Sequence, residues 1–201
     1  MLNLHPTQVE NPADRDAVFR VHFQNPYSKE QHLLTLPATF EQMAQVRDRL
    51  GVDHIVNAGI ISVECMIPCL ENRIPIEEAD IRQLDELADL IADMQTADGE
   101  LLKFCAVLDV ERPCLLMDAV DIACDLDNYE QITAGTYEYG QSVLRRHGAD
   151  EELLQAMEGY MDFEKLGEDS MLEDGVRQTE FGLIRRLSKP FPEQGHEQTM
   201  G

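Results

Sequence analysis

Residues 80–94 read DIRQLDELADLIADM, and this stretch decides the fold. Ile81, Leu84, Leu87, Ala88, Ile91 and Met94 recur at three- and four-residue steps, the period of one helical face. Asp80 stands where an N-cap belongs. On the opposite face Asp85, Asp89 and Asp93 follow one another every fourth residue, with Glu86 beside them. The expected helix is therefore apolar inside and anionic outside. Like charges four residues apart cost a helix a few tenths of a kcal/mol per pair. A face serving solubility alone mixes in lysine to relieve that repulsion; this one does not.

Downstream the pattern stays helical. Asp98 is expected to cap a helix with Leu101, Phe104, Cys105 and Leu108 inward, and Pro113 to begin another with Leu116, Ala119, Val120 and Ala123 inward. That third helix carries Asp118, Asp121 and Asp125 outward, and Asp127 extends the row. A short strand is expected over residues 128–133, and a helix over 136–147 stopped by Gly148. Asp150 is expected to cap a helix to about Met157, residues 163–167 to form one more turn, and Asp174-Gly175 to turn a closing hairpin. Upstream, residues 17–23 and 32–36 read as strands separated by the turn Asn25-Pro26-Tyr27-Ser28. Thr39 and Gln42 form a capping box for a helix ending at Gly51, with Phe40, Met43, Val46 and Leu50 on its apolar face. Residues 54–64 read as a strand interrupted at Gly59.

The expected fold is α+β. A small N-terminal strand/helix domain (1–76) precedes an acidic helical domain (77–130) and a third domain (131–190) that ends in a short β-hairpin, followed by a frayed tail (191–201).

Charge narrows the function. The 201 residues hold 16 basic and 39 acidic side chains, a net −23. Residues 77–130 hold 16 acids against 3 bases and residues 150–180 hold 11 against 2, so these 85 residues carry −22 and the other 116 carry −1. Salt adaptation predicts acid spread throughout. A regional anionic potential instead repels nucleic acid and anionic membrane and attracts basic surfaces. Neither an apolar run long enough for a membrane span nor a signal peptide is read, and five cysteines without a framework fit a reducing cytoplasm.

Known chemistries find little support. Cys65-x3-Cys69 lacks zinc-site spacing, and core packing is the favoured reading. Asp125-x-Asp127-Asn128 lacks the turn glycine of a calcium loop, and Thr136 stands where its bidentate Glu belongs. No phosphate loop, dinucleotide fingerprint or nucleophile elbow is present, and the six histidines are scattered. The expectation is a protein without catalytic residues, metal or cofactor.

Residues 153–169 read LLQAMEGYMDFEKLGED. The run resembles the C-terminal signature of ArdA antirestriction proteins, a leucine-bearing helix followed by Tyr-x-Asp-aromatic-Glu-x-x-Gly-x-Asp. Here those positions are Tyr160, Asp162, Phe163, Glu164, Gly167 and Asp169. Residues 84–88 and 119–129 are similar to the family's earlier helical segments, so the likeness spans about residues 81–186. The first 76 residues depart from the family's Tyr-Asn-x-Gly turn and Gly-x-Trp strand, and the chain has no tryptophan.

The resemblance implies an elongated, dimeric mimic of bent B-DNA, carried on conjugative plasmids and transposons, that occupies the DNA groove of type I restriction–modification enzymes. Asp85, Glu86, Asp89, Asp93, Asp118, Asp121, Asp125, Asp127, Glu151, Glu152, Glu158, Asp162, Glu164, Glu168 and Asp169 would then stand in for phosphates. Tyr160 and Phe163 are read as core or interface packing residues, Gly167 as a helix stop, and Asp162 equally as a cap or a mimic charge. The alternative is an acidic adaptor or regulator that binds another basic protein of a mobile element. One stripe alone is too sparse for mimicry: four helical residues advance about 6 Å, whereas one DNA strand offers a phosphate every ~3.4 Å.

Overall fold

A computed structural model describes residues 17–76, 79–189 and 191; the lead-in over 1–16, residues 77, 78 and 190, and the tail over 192–201 lie outside them. The chain is α+β. Among the described residues it holds seven α-helices and two three-stranded antiparallel sheets, the second containing the C-terminal hairpin. It divides into two compact units. The first holds the described residues up to Asp98 together with Cys114–Val120, and the second holds Gly99–Pro113 and the described residues from Asp121 onward. The acidic stretch 77–130 thus contributes to both.

In the first unit, β1 (Phe19–Gln24) is the central strand, flanked by β2 (Gln31–Leu36) and β3 (Gly59–Cys65). Strand alternation explains its composition: Phe19, Val21 and Phe23 are fully buried, whereas Arg20, His22 and Gln24 are half-buried on the other face. Val21 pairs with Leu34 and Phe19 with Leu36, extending the apolar face across β2. The β1–β3 register shifts between His22 and Phe23, so the interruption expected at Gly59 becomes a 3-10 turn over Ile55–Asn57 followed by a bulged strand.

Helix α1 (Phe40–Leu50) starts at the Thr39–Gln42 capping box and ends at Gly51, whose φ of +67° suits glycine. Val46 and Leu50 are buried, but Phe40, expected on the apolar face, is 86% exposed because it occupies the first helical position. The turn at residue 25 has a clear cause. Buried Asn25 accepts hydrogen bonds from the Tyr27 and Ser28 amides (2.7 and 3.1 Å) and donates to the Leu50 carbonyl (2.7 Å). Helix α2 (Ile81–Thr96) then packs on β2, capped by Asp80.

In the second unit, α3 (Glu100–Glu111) packs against a sheet of order β4-β6-β5, formed by Tyr129–Ile132, Gly182–Arg186 and Val176–Thr179. The N-cap of α3 is Gly99, with no side-chain cap, so Asp98 does not play that part. Helix α4 (Leu116–Cys124) contributes residues to both units. Tyr139 of α5 (Thr136–Arg146) and Met171 of α7 (Phe163–Glu173) share a core cluster with Val176 and Leu183, against which Ile132 and Val143 pack. Helix α6 (Glu151–Met157) lies between α5 and α7 in sequence, capped by Asp150.

Two expectations for this unit are corrected. Gly167 does not stop a helix: α7 runs through it for 11 residues. A Cβ at Gly167 would lie 2.0 Å from the Thr136 carbonyl oxygen, and one at Gly140 would lie 2.1 Å from the Phe163 carbonyl oxygen. Both glycines are needed because α5 and α7 cross backbone to backbone. Asp174-Gly175 is not the hairpin turn either. It ends α7, with Gly175 at φ +68°, and the hairpin turns at Glu180-Phe181 instead. Phe191, which opens the tail expected to fray, is buried and stacked on Tyr129 at 6.2 Å.

Candidate functional site

The α2 carboxylates follow from helical geometry. At about 100° per residue, the buried side chains Ile81, Leu84, Leu87, Ala88, Ile91 and Met94 centre on one direction, and Glu86, Asp89 and Asp93 centre roughly 180° from it. All three are exposed and form no ion pair with another described residue. Asp85 lies at the boundary, about 110° from the buried centre. It is half-buried, and its Oδ1 accepts a hydrogen bond from the Ala38 amide at 2.9 Å. Burial pushes its carboxyl above the ordinary Asp range, the Ala38 amide opposes that, and the Asp89 charge adds to it. Arg82 lies on the same outward face but pairs with Asp80 (3.2 Å), whose carboxyl it holds below the ordinary range.

The row on α4 divides in the same way. Asp118 is half-buried and accepts from the Leu115 amide (3.0 Å), closing the start of its helix. Asp125 is exposed and accepts from the Asn128 side chain (3.1 Å). Asp121 and Asp127 are exposed and unpaired.

Around α6 and α7 more of the acids have structural partners. Glu151 pairs with Arg145 (3.1 Å), and Glu158 accepts from the Tyr137 hydroxyl (3.1 Å). Asp162 caps α7 through the Lys165 amide (3.0 Å) while staying exposed, so capping and charge presentation coincide in one residue. Glu152, Glu164, Glu168 and Asp169 are exposed and unpaired. Phe163 is buried, edge-on to Tyr137 at 5.4 Å, as a packing residue should be. Tyr160, read as core or interface packing, is 94% exposed in the turn between α6 and α7 and so is no core residue.

Five further arginines meet carboxylates that were not expected to mimic phosphates. Arg20 pairs with Glu64 (3.6 Å), Arg47 with Asp48 (2.6 Å) and Arg146 with Asp174 (2.8 Å). Arg185 pairs with Glu130, and Arg186 with Glu111. Of the fifteen carboxylates expected to mimic phosphates, only Glu151 takes part in an ion pair among the described residues.

Sequence reasoning missed Asp174, which accepts from the buried Tyr139 hydroxyl (2.5 Å) as well as from Arg146. The Tyr139 bond and then Arg146 hold its carboxyl below the ordinary range, while burial raises the Tyr139 hydroxyl. It also missed the group in which Arg186 lies over Tyr129 and Phe191 (5.5 Å to each ring) and pairs with Glu111. The partners are dozens of residues apart, and no local spacing announces them.

The arrangement presents anionic charge and offers little else. Among the described residues no group of three or more His, Cys, Asp or Glu is placed to hold a metal ion. The five cysteines are free thiols, with Cys65 and Cys69 half-buried. No helix among the described residues is long and apolar enough to cross a membrane. No protein-family model matches the chain, and no curated protein matches it.

Proposed function

We propose that this protein is a DNA mimic of the ArdA antirestriction type, which binds the DNA groove of a type I restriction–modification enzyme and so blocks it without catalysis. It would act in the cytoplasm, as a homodimer, with no contact to nucleic acid or membrane. The observation that carries the reading is the segregation of charge. Glu86, Asp89, Asp93, Asp121, Asp127, Glu152, Glu164, Glu168 and Asp169 are exposed and unpaired. Six arginines meanwhile pair with Glu64, Asp48, Asp80, Glu111, Glu130 and Asp174, none of them among these nine, and Arg145 pairs with Glu151 beside Glu152. A surface on which unpaired carboxylates outnumber the cations has Lys- and Arg-rich protein as its natural complement. The likeness of residues 153–169 to the family signature supplies the identity of that partner.

The test is ATP-dependent DNA cleavage by a purified type I enzyme. The expected result is stoichiometric inhibition at low salt that weakens steeply as salt rises. Full cleavage in the presence of excess protein at low salt rejects the proposal. Binding to a basic protein of a mobile element without inhibition would select the adaptor reading instead.

A further inference from the structure

We propose that Asp85 is a positioning residue, a clamp that holds the fine rotational setting of α2 on the first sheet and so the angle at which Glu86, Asp89 and Asp93 are presented. The function given to that outward row rests on the DNA-mimic reading; the clamp itself does not.

Three observations converge. Asp85 reaches 47 residues back in sequence to the Ala38 amide, in the corner between β2 and α1. Ala38 is followed by Thr39, the N-cap of α1, so the bond joins α2 to the end of one strand and the start of another helix. Asp85 also sits at the edge of the buried face of α2, where a helix can reach a neighbouring backbone without burying its whole side chain. Apolar packing alone leaves a helix some freedom to roll, because buried aliphatic side chains offer contacts without direction. A hydrogen bond is directional and fails steeply off its axis. Burial of Ile81, Leu84, Leu87, Ala88, Ile91 and Met94 forbids a large roll, whereas a roll of some tens of degrees, which packing resists less, would pull the Asp85 carboxyl off the Ala38 N–H axis and tilt the row.

The expected roles of neighbouring aspartates therefore differ. Asp85 holds and Asp89, four residues on, presents charge. An Asn at 85 keeps the acceptor oxygen and an Ala does not, whereas an Asn at 89 removes only charge.

The experiment follows the Ala38 amide by NMR in the full chain. In the unaltered protein its proton shift should move with the titration of the Asp85 carboxyl, and that movement should vanish in Asp85→Asn. Hydrogen exchange at Ala38 should quicken about tenfold in Asp85→Ala and return to within about twofold of the original in Asp85→Asn. Inhibition of the type I enzyme should weaken in Asp89→Asn with Ala38 still protected. An Ala38 shift indifferent to Asp85 overturns the clamp, and needs no variant to fold. So does an Asp85→Asn protein as poorly protected as Asp85→Ala. Should Asp89→Asn leave inhibition unchanged while Ala38 behaves as expected, the clamp stands and the mimic role of this row fails.

Discussion

The acidic face of α2 and the acidic corner of α6 and α7 look alike as strings of letters and differ as structures. On α2 Asp80 caps the helix and Asp85 is turned to the fold, and Glu86, Asp89 and Asp93 are left over. Around α6 and α7, Asp150 and Asp162 cap helices, Glu151 meets Arg145, and Glu158 meets Tyr137. Net charge therefore overstates what a partner can meet, and by more in the C-terminal region than in the first unit. Capping accounts for part of the difference. A 16-residue helix has one N-terminus to cap, whereas two helices of 7 and 11 residues have two.

The comparison breaks most violently at the crossing of α5 and α7. Gly167→Ala places a methyl group against the Thr136 carbonyl and should destabilise the second unit by about 3 kcal/mol, outweighing the propensity gain of alanine. Denaturant unfolding followed by per-residue hydrogen exchange should show the loss in the second unit with the first unit's amides unchanged.

Acid should act on Asp174, in the second unit, and on Asp85, in the first, with opposite sign. The Asp174 carboxyl titrates below the ordinary Asp range, so its contribution is present above that range and is lost as pH falls through its lowered value. The Asp85 carboxyl titrates above it, so its contribution is fullest below the ordinary range and is lost as pH rises through its raised value. Asp174→Asn, which drops the ion pair with Arg146, should cost the second unit about 1 kcal/mol at neutral pH and flatten its acid response. Asp85→Asn should flatten the opposite slope in the first unit. Equal slopes in both units would erase the distinction.

Capping and charge separate at Asp162. Asp162→Ala should cost about 1 kcal/mol, and Asp162→Asn far less, since asparagine caps as well. Thermal melts read that difference, and inhibition assays on the asparagine variant read the charge alone. The smallest effect on stability belongs to Glu86→Gln, Asp89→Asn and Asp93→Asn combined. Removing the Asp89–Asp93 repulsion should firm the helix by a few tenths of a kcal/mol while weakening partner binding. Unchanged affinity would reduce the row to solvated surface.

Most of the architecture was legible because local signals agreed with one another. Thr39, Gln42 and Gly51 bracket α1, and the apolar spacing of Ile81 to Met94 yields α2 with all six residues buried. Two of the errors, at Gly167 and at Asp174-Gly175, share one cause. A glycine that ends a helix and one that admits another backbone are the same letter, and only Gly140 and Thr136, far from Gly167 in sequence, tell them apart. Asp174-Gly175 likewise serves a helix end as well as a hairpin. The outward direction of Glu86, Asp89 and Asp93 could be read from periodicity. The commitment of Asp85 to Ala38 could not, because a bond across 47 residues leaves no local trace.

The central claim is that free carboxylates compete with DNA for one basic groove, and direct displacement tests it. A type I enzyme bound to labelled duplex should release the DNA as this protein is added at low salt. The Glu86→Gln, Asp89→Asn, Asp93→Asn variant should need more protein to do so, and high salt should abolish the release. DNA that stays bound at every protein concentration in low salt would contradict the account.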